Sequence, residues 1–271
     1  MITAQQKTFF ETFGFLRIPA ACSADIAWIT AEFEAAWKAR TDLKQEGKAS
    51  FPITMIAASP RLTSLINHAA VLDAADALLG SGWSCYGGDG NLFAGDTGWH
   101  SDCEPDQWQF KSTVRHVKIV WYLDPTMAST GALRVVPGSH HHGDRYCELV
   151  QQGLVGEGHV LNSGAQVPAH AIETSPGDLV VFDHRLKHAS FGGGNRRRMF
   201  CINLFGPMHD PVEREAVVSI MRQYRDQQKI NWLQGPGWVD WIATMTPEQK
   251  RHFLYSLELG AEVAQEAVGS P

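Results

Sequence analysis

Between residues 83 and 206 the apolar residues come in short runs, cut apart by Gly, Pro, Asp and Ser. Val117 to Leu123, Leu133 to Val136, Leu179 to Phe182 and Met199 to Phe205 are all of this kind. Turn-forming stretches such as Pro137-Gly138-Ser139 and Pro176-Gly177-Asp178 separate them. This pattern predicts the strands of a barrel or sandwich rather than helices.

Helical periodicity flanks that zone on both sides. Ser23 is a candidate N-cap, and Ile26, Ile29, Phe33 and Trp37 then recur at helical spacing, giving one apolar stripe. Ser59-Pro60 opens another helix with Pro60 in its first turn, and Gly80 closes it. Thr246-Pro247-Glu248-Gln249 combines an N-cap, an N1 proline and a capping-box glutamine, a specific helix start. No repeat and no linker long enough to separate domains is apparent. The fold class read from this order is mainly β with flanking helices. A single domain is expected over 1–271, with a helical part at 1–80, a β core at 83–206 and C-terminal helices at 211–271.

Composition narrows the function. With 44% hydrophobic and 19% charged residues, the 271-residue chain is of globular type. The 23 basic against 29 acidic residues leave no polyanion footprint, so no nucleic-acid partner is expected. Met1 to Lys7 lacks the basic-then-apolar order of a secretory signal, and no apolar run approaches the ~20 residues that span a bilayer. No membrane partner is expected either. The five cysteines are scattered without a CxxC pair, which favours reduced thiols in a cytoplasm over a disulfide framework or a zinc site.

Twelve histidines raise the question of which ones could converge. In His100-Ser101-Asp102, residues i and i+2 on a strand or its exit project to one face, so imidazole and carboxylate can grip one ion. A further histidine would complete a two-His, one-carboxylate triad with open positions, the set that suits Fe(II) in oxygen chemistry. The spacing alone is weak, since His142-Gly143-Asp144 repeats it. That copy comes after a Gly/Pro/Ser-rich turn, and His140, His141 and His142 are read as loop or surface residues.

For the third ligand, His184 and His188 are both open after the Leu179 to Phe182 run. Downstream residues favour His188: Ser190 lies two positions on, and Arg196, Arg197 and Arg198 open the next run. Arginine clamps a carboxylate with two parallel hydrogen bonds. The layout suits a dicarboxylate lying between metal and guanidinium. Strand alternation puts Arg197 on one face and Arg196 and Arg198 on the other.

Four stretches in this order resemble the phytanoyl-CoA dioxygenase family, which includes ectoine hydroxylase. They are Trp99-His100-Ser101-Asp102, the segment from Gly131 to His140, the segment from Pro176 to Phe182, and His188-Ala189-Ser190 followed by Arg197. Gln6, Phe9, Phe10, Gly14-Phe15-Leu16 and Pro19 resemble the family's helix-then-strand opening, so the likeness runs from residue 5 to about 206. The resemblance implies a double-stranded β-helix, a cupin-like jelly-roll barrel. It also implies Fe(II), 2-oxoglutarate and O2 as cofactors and co-substrates. Carried over by position, His100, Asp102 and His188 are the catalytic iron ligands. Ser190 and Arg197, the latter favoured over Arg198, hold the distal carboxylate of 2-oxoglutarate, and Asn91 is a further contact to it. Related halogenases carry a small residue in place of the carboxylate ligand, so Asp102 implies an oxygenase outcome.

The expected activity is hydroxylation of an unactivated C–H bond of a small polar metabolite, with release of succinate and CO2. Lys118 alternates with Val117 and Ile119, so it faces the cavity if the apolar pair faces outward. There its ammonium needs either a substrate anion or a protein carboxylate. Trp108 is the second candidate substrate contact, though Trp108 and Trp99 also read as core packing. The polar and aromatic residues Glu104, Asp106, Gln107, Trp108 and Gln109 suit a small polar substrate, and residues 83–115 are expected to act as a lid. Two other readings stay open: a cupin-type metal enzyme that does not use 2-oxoglutarate, and a degenerate barrel that binds a ligand without catalysis. Succinate release that depends on 2-oxoglutarate, and stoichiometric iron binding, separate the three.

Overall fold

A computed structural model describes residues 1–39, 49–51, 55–93, 95–103, 112–154, 166–193, 197–226 and 241–268. Its strands are β1 (Phe15–Ile18), β2 (Ala49–Phe51), β3 (Ser84–Gly87), β4 (Gly90–Phe93), β5 (Thr97–His100), β6 (His116–Tyr122), β7 (Leu133–Val135), β8 (His170–Ile172), β9 (Leu179–Asp183), β10 (His188–Ser190) and β11 (Arg197–Phe205). They form two antiparallel sheets. The larger runs β1-β9-β6-β11-β4-β2, with β3 also paired to β11, and the smaller runs β5-β10-β7-β8. The two together are the jelly-roll barrel expected from the sequence.

The long apolar runs become strands of the larger sheet because both faces of that sheet are covered. Along β6, Val117, Ile119 and Trp121 pack with Val181, Phe200 and Leu204 against the helices. The alternate residues, Val120 and Tyr122, pack with Val180, Phe182 and Met199 against Leu133, Val135 and Ile172 of the smaller sheet. Lys118, on the same face as Val120 and Tyr122, therefore points between the sheets. Register fixes its neighbours: Lys118 stands opposite Asn203 on β11 and opposite Phe182 on β9.

The flanking helices form largely where periodicity put them. The helix Ile26–Ala39 buries Ile29, Phe33 and Trp37 on one stripe. It begins three residues after Ser23, and Asp25 at its start accepts a 2.7 Å hydrogen bond from Trp28 Nε1. Thr246 and Gln249 make the reciprocal capping box, with Pro247 in the first turn.

Three expectations are corrected. The helix expected from Ser59 to Gly80 is three pieces: Pro60–Thr63 capped by Ser59, a 3-10 turn over Ser64–Asn67, and Ala69–Leu79. The break falls at His68, whose extended backbone and ring Nδ1 capping Ala70 N restart the helix. The N-terminal part is not purely helical, since β1 lies at one edge of the larger sheet and β2 at the other. Within 83–115, expected to act as a lid, the described strands β3, β4 and β5 are instead hydrogen-bonded members of the sheets. Residues 104–111, including Trp108, lie outside the described residues. Among the described residues, no helix is long and apolar enough to cross a membrane.

Candidate active site

The site begins on the smaller sheet, where β5 and β10 run side by side. His100 and His188 are direct cross-strand partners, with ring centroids 4.2 Å apart. Asp102 lies two residues after His100, where its backbone N–H donates to the His184 carbonyl at 2.9 Å. One donor atom from each of His100, Asp102 and His188 lies within 4.8 Å of the other two.

Hydrogen bonding fixes how these groups present themselves. Nδ1 of His100 is 2.8 Å from the Gly98 carbonyl, and Nδ1 of His188 is 2.8 Å from the Leu186 carbonyl. A carbonyl only accepts, so each Nδ1 carries the proton and each Nε2 keeps a free lone pair. Asp102 Oδ1 accepts from Lys118 Nζ at 2.9 Å, while Oδ2 is buried with no protein partner. Burial pushes the His188 imidazole down to about 3, so it is neutral at physiological pH. Burial alone would raise the Asp102 carboxyl, but the Lys118 ammonium together with the surrounding His188, His184 and His100 holds the group well below the usual carboxylate range.

Two neutral imidazoles and one ionised carboxylate are the donor set of a two-His, one-carboxylate metal centre. The orphaned Asp102 Oδ2 fits the same ion, because a buried oxygen without a partner is costly unless something fills that place. His184, the other candidate, is directed elsewhere. Its Nδ1 meets the Tyr86 hydroxyl at 3.3 Å, and its ring packs beside Tyr86 and His116.

These three donors open onto a cavity of about 180 Å³ between the sheets. Arg197, buried at the start of β11, lines it, and its Nη1 donates to the Ser190 hydroxyl and the Gly131 carbonyl. Ser190 Oγ also bonds the Gly131 carbonyl, at 2.8 Å. Gly131 has φ +92°, and a Cβ there would sit 2.6 Å from Arg197 Nη1, so the turn needs glycine for both reasons. Arg198 faces the other way and pairs with Asp124 and with Glu34, the latter at 2.8 Å. Arg196 lies outside the described residues.

Asn91 is buried on β4 opposite Met199, lines the cavity, and its amide donates to the Asp89 carboxylate. Lys118 also lines the cavity and pairs with a protein carboxylate, Asp102. Trp99 is buried against Phe191, with ring centroids 5.8 Å apart, in the satellite core behind β10. The second histidine-acid copy is structural: Asp144 caps the helix Arg145–Gly153 by accepting from Tyr146 N at 2.7 Å. Its histidine neighbour His141 bonds the Thr12 carbonyl at 3.0 Å.

Sequence reasoning missed Asp89, Thr97 and Tyr122, which also line the cavity. Tyr122 was within reach, since it lies four residues beyond Lys118 on the same strand face. Asp89 carried only its glycine neighbours as a signal.

The profile of the phytanoyl-CoA dioxygenase (PhyH) family matches residues 10–199, well over half of the chain. No curated protein matches it in sequence. Among solved structures it is similar to HygX from Streptomyces hygroscopicus with nickel and 2-oxoglutarate bound. That match has TM-score 0.61 and 18% identity and covers 77% of this chain and 88% of that one. It is similar to the epimerase SnoN in complex with Fe3+, alpha-ketoglutarate and nogalamycin RO, with TM-score 0.55, 16% identity, and 75% and 85% covered. It is also similar to EvdO2 from Micromonospora carbonacea var. aurantiaca complexed with 2-oxoglutarate, with TM-score 0.54, 18% identity, and 78% and 96% covered. At these identities the likeness speaks for the fold.

Proposed function

Because the chain belongs to the phytanoyl-CoA dioxygenase family and is a 2-oxoglutarate-dependent oxygenase, we propose that it hydroxylates an unactivated C–H bond of a small polar metabolite. The observation that carries this reading is the convergence of His100, Asp102 and His188, with an orphaned carboxylate oxygen among them. HygX, SnoN and EvdO2 hold metal, 2-oxoglutarate or both on a similar scaffold, which supports the same use here.

His100 Nε2, His188 Nε2 and one Asp102 oxygen would hold ferrous iron. When bound, iron and 2-oxoglutarate together supply the oxidising power: one oxygen atom of O2 goes to succinate, formed with CO2, and the other to the substrate. The chain's own share is positioning. The Gly98 and Leu186 carbonyls lock both imidazole tautomers. Lys118 fixes Asp102 by its Oδ1, which leaves Oδ2 for the metal. Arg197 and Ser190 would seat the distal carboxylate of 2-oxoglutarate as a charge-assisted contact in a buried place. Asn91, beside them on β4, would contact the same co-substrate. Val120, Phe182 and Met199 add apolar surface to the cavity wall between these polar groups.

A screen of small polar metabolites for 2-oxoglutarate-dependent oxygen uptake and succinate release tests the reading, with His188→Ala as the blank. At least one compound should raise uptake in the wild type and leave the blank unmoved. Equal consumption by both across a broad library would sink it.

A further inference from the structure

The segment Gly87-Gly88-Asp89-Gly90 joins β3 to β4 and is absorbed by none of the chemistry above. It is pressed onto β11. Cys201 N donates to the Asp89 carbonyl at 2.8 Å, and a Cβ on Gly88 would sit 2.1 Å from the Cys201 carbonyl oxygen. No residue but glycine fits there, and the result is that the Asp89 side chain is carried to the cavity wall. Its carboxylate is then held from two sides. The Asn91 amide donates to Oδ2 and the Cys201 thiol to Oδ1. Burial keeps that thiol protonated, so both donors are neutral.

The cations near Asp89 hydrogen-bond to other groups, and Lys118 feels the Asp89 charge only through space. Lys118, the cation facing it across the strands, is bound to Asp102 at 2.9 Å. Arg197 points to Ser190 and Gly131. Among the described residues Asp89 has no ion pair, and its other neighbours on the wall, Val120, Tyr122 and Met199, are uncharged. A carboxylate oriented by neutral donors at the cavity wall presents its oxygens to whatever the cavity holds. The group it complements best is a cation that enters with the ligand.

We propose that Asp89 is the recognition group for a protonated amine on the substrate, so that this oxygenase takes ammonium-bearing small molecules. The inference rests on the oxygenase reading for what the cavity does, and it narrows the substrate class. It also gives the Gly-Gly-Asp-Gly turn a purpose: glycine lets the backbone approach β11 closely enough to aim one acid at the bound molecule.

The test is a calorimetric panel of small amines, amino acids and amino sugars, each beside its N-acetylated counterpart. Each is titrated into metal-free protein and into protein loaded with Ni(II) and 2-oxoglutarate. Free amines should bind at least about tenfold more tightly than their acetylated partners in wild type. Asp89→Asn should weaken the amines by about tenfold to a hundredfold, the worth of one charged hydrogen bond, and affect 2-oxoglutarate binding far less than it affects the amines. Asp89→Glu keeps the charge and should keep the preference, which guards against a variant that fails to fold. No preference for free amines in wild type, or an unchanged preference in Asp89→Asn, would overturn the inference. Failure of the oxygenase reading looks different: 2-oxoglutarate does not bind the metal-loaded wild type, while the amine comparison in metal-free protein still reads Asp89.

Discussion

Lys118 Nζ stands 2.9 Å from Asp102 Oδ1, and the other oxygen of that carboxylate is buried without a partner. The lysine therefore divides the carboxylate, holding one oxygen and leaving the other for an ion. Lys118→Met keeps the stem's volume and removes the ammonium. It frees the carboxylate to rotate and lets its pKa rise. Metal affinity should fall by about tenfold to a hundredfold, the usual effect of losing an outer-shell partner. Anaerobic Fe(II) titration checks this, and the deficit should widen as the pH is lowered, because protons then compete for Asp102.

Arg197 and Arg198 are neighbours in sequence with opposite surroundings. Arg197→Leu should weaken 2-oxoglutarate binding by about 2–5 kcal/mol, since the co-substrate carboxylate would then be buried without its cation. Arg198→Leu loses partly exposed pairs with Asp124 and Glu34 and should cost at most about 1 kcal/mol of stability, with co-substrate binding intact. Titration of 2-oxoglutarate into both metal-loaded variants, beside their urea unfolding curves, separates the two roles.

Gly131→Ala perturbs the same arginine without replacing it. The left-handed backbone costs a non-glycine residue about 1–2 kcal/mol, and the new methyl would sit 2.6 Å from Arg197 Nη1. The variant should lose both stability and 2-oxoglutarate affinity, whereas a purely structural glycine would lose stability alone.

Burial drives several histidines down together: His116 and His188 to about 3, and His140, His184 and His252 to about 4. In the unfolded chain the same groups take a proton near pH 6.5. Below that pH the unfolded state binds more protons than the folded one, so stability present above pH 6.5 is lost as the pH falls toward 4. Each group contributes up to about 1.4 kcal/mol per pH unit in that window. Metal-free protein should lose several kcal/mol between pH 6.5 and 5 in urea denaturation, and His116→Phe should flatten the slope.

Much of this molecule was legible in the sequence, and for identifiable reasons. The Val117 to Leu123 and Met199 to Phe205 runs become β6 and β11 because a sheet covered on both faces needs apolar residues on both. The histidine-acid spacing marked His100 and Asp102, and the residues after His188 set it apart from His184. Where sequence reasoning failed, the determining contact was remote. β3 and β4 are four residues each and lie within 83–115, the stretch expected to act as a lid. They are strands only because β11 pairs with them. The restart at His68 depends on one ring nitrogen capping one amide. Asp89 joins the site only through the close approach of Gly88 to β11, which no local pattern encodes.

His100 and His188 are rungs of one ladder, and most of the groups facing them hang from the opposite sheet. The proposed metal grip and the cavity wall facing it are thus separate mechanical parts. Residues such as Asp89 or Tyr122 can be exchanged without unzipping the rung that joins the two imidazoles. A scaffold divided in this way can acquire new clients while its reactive heart stays put.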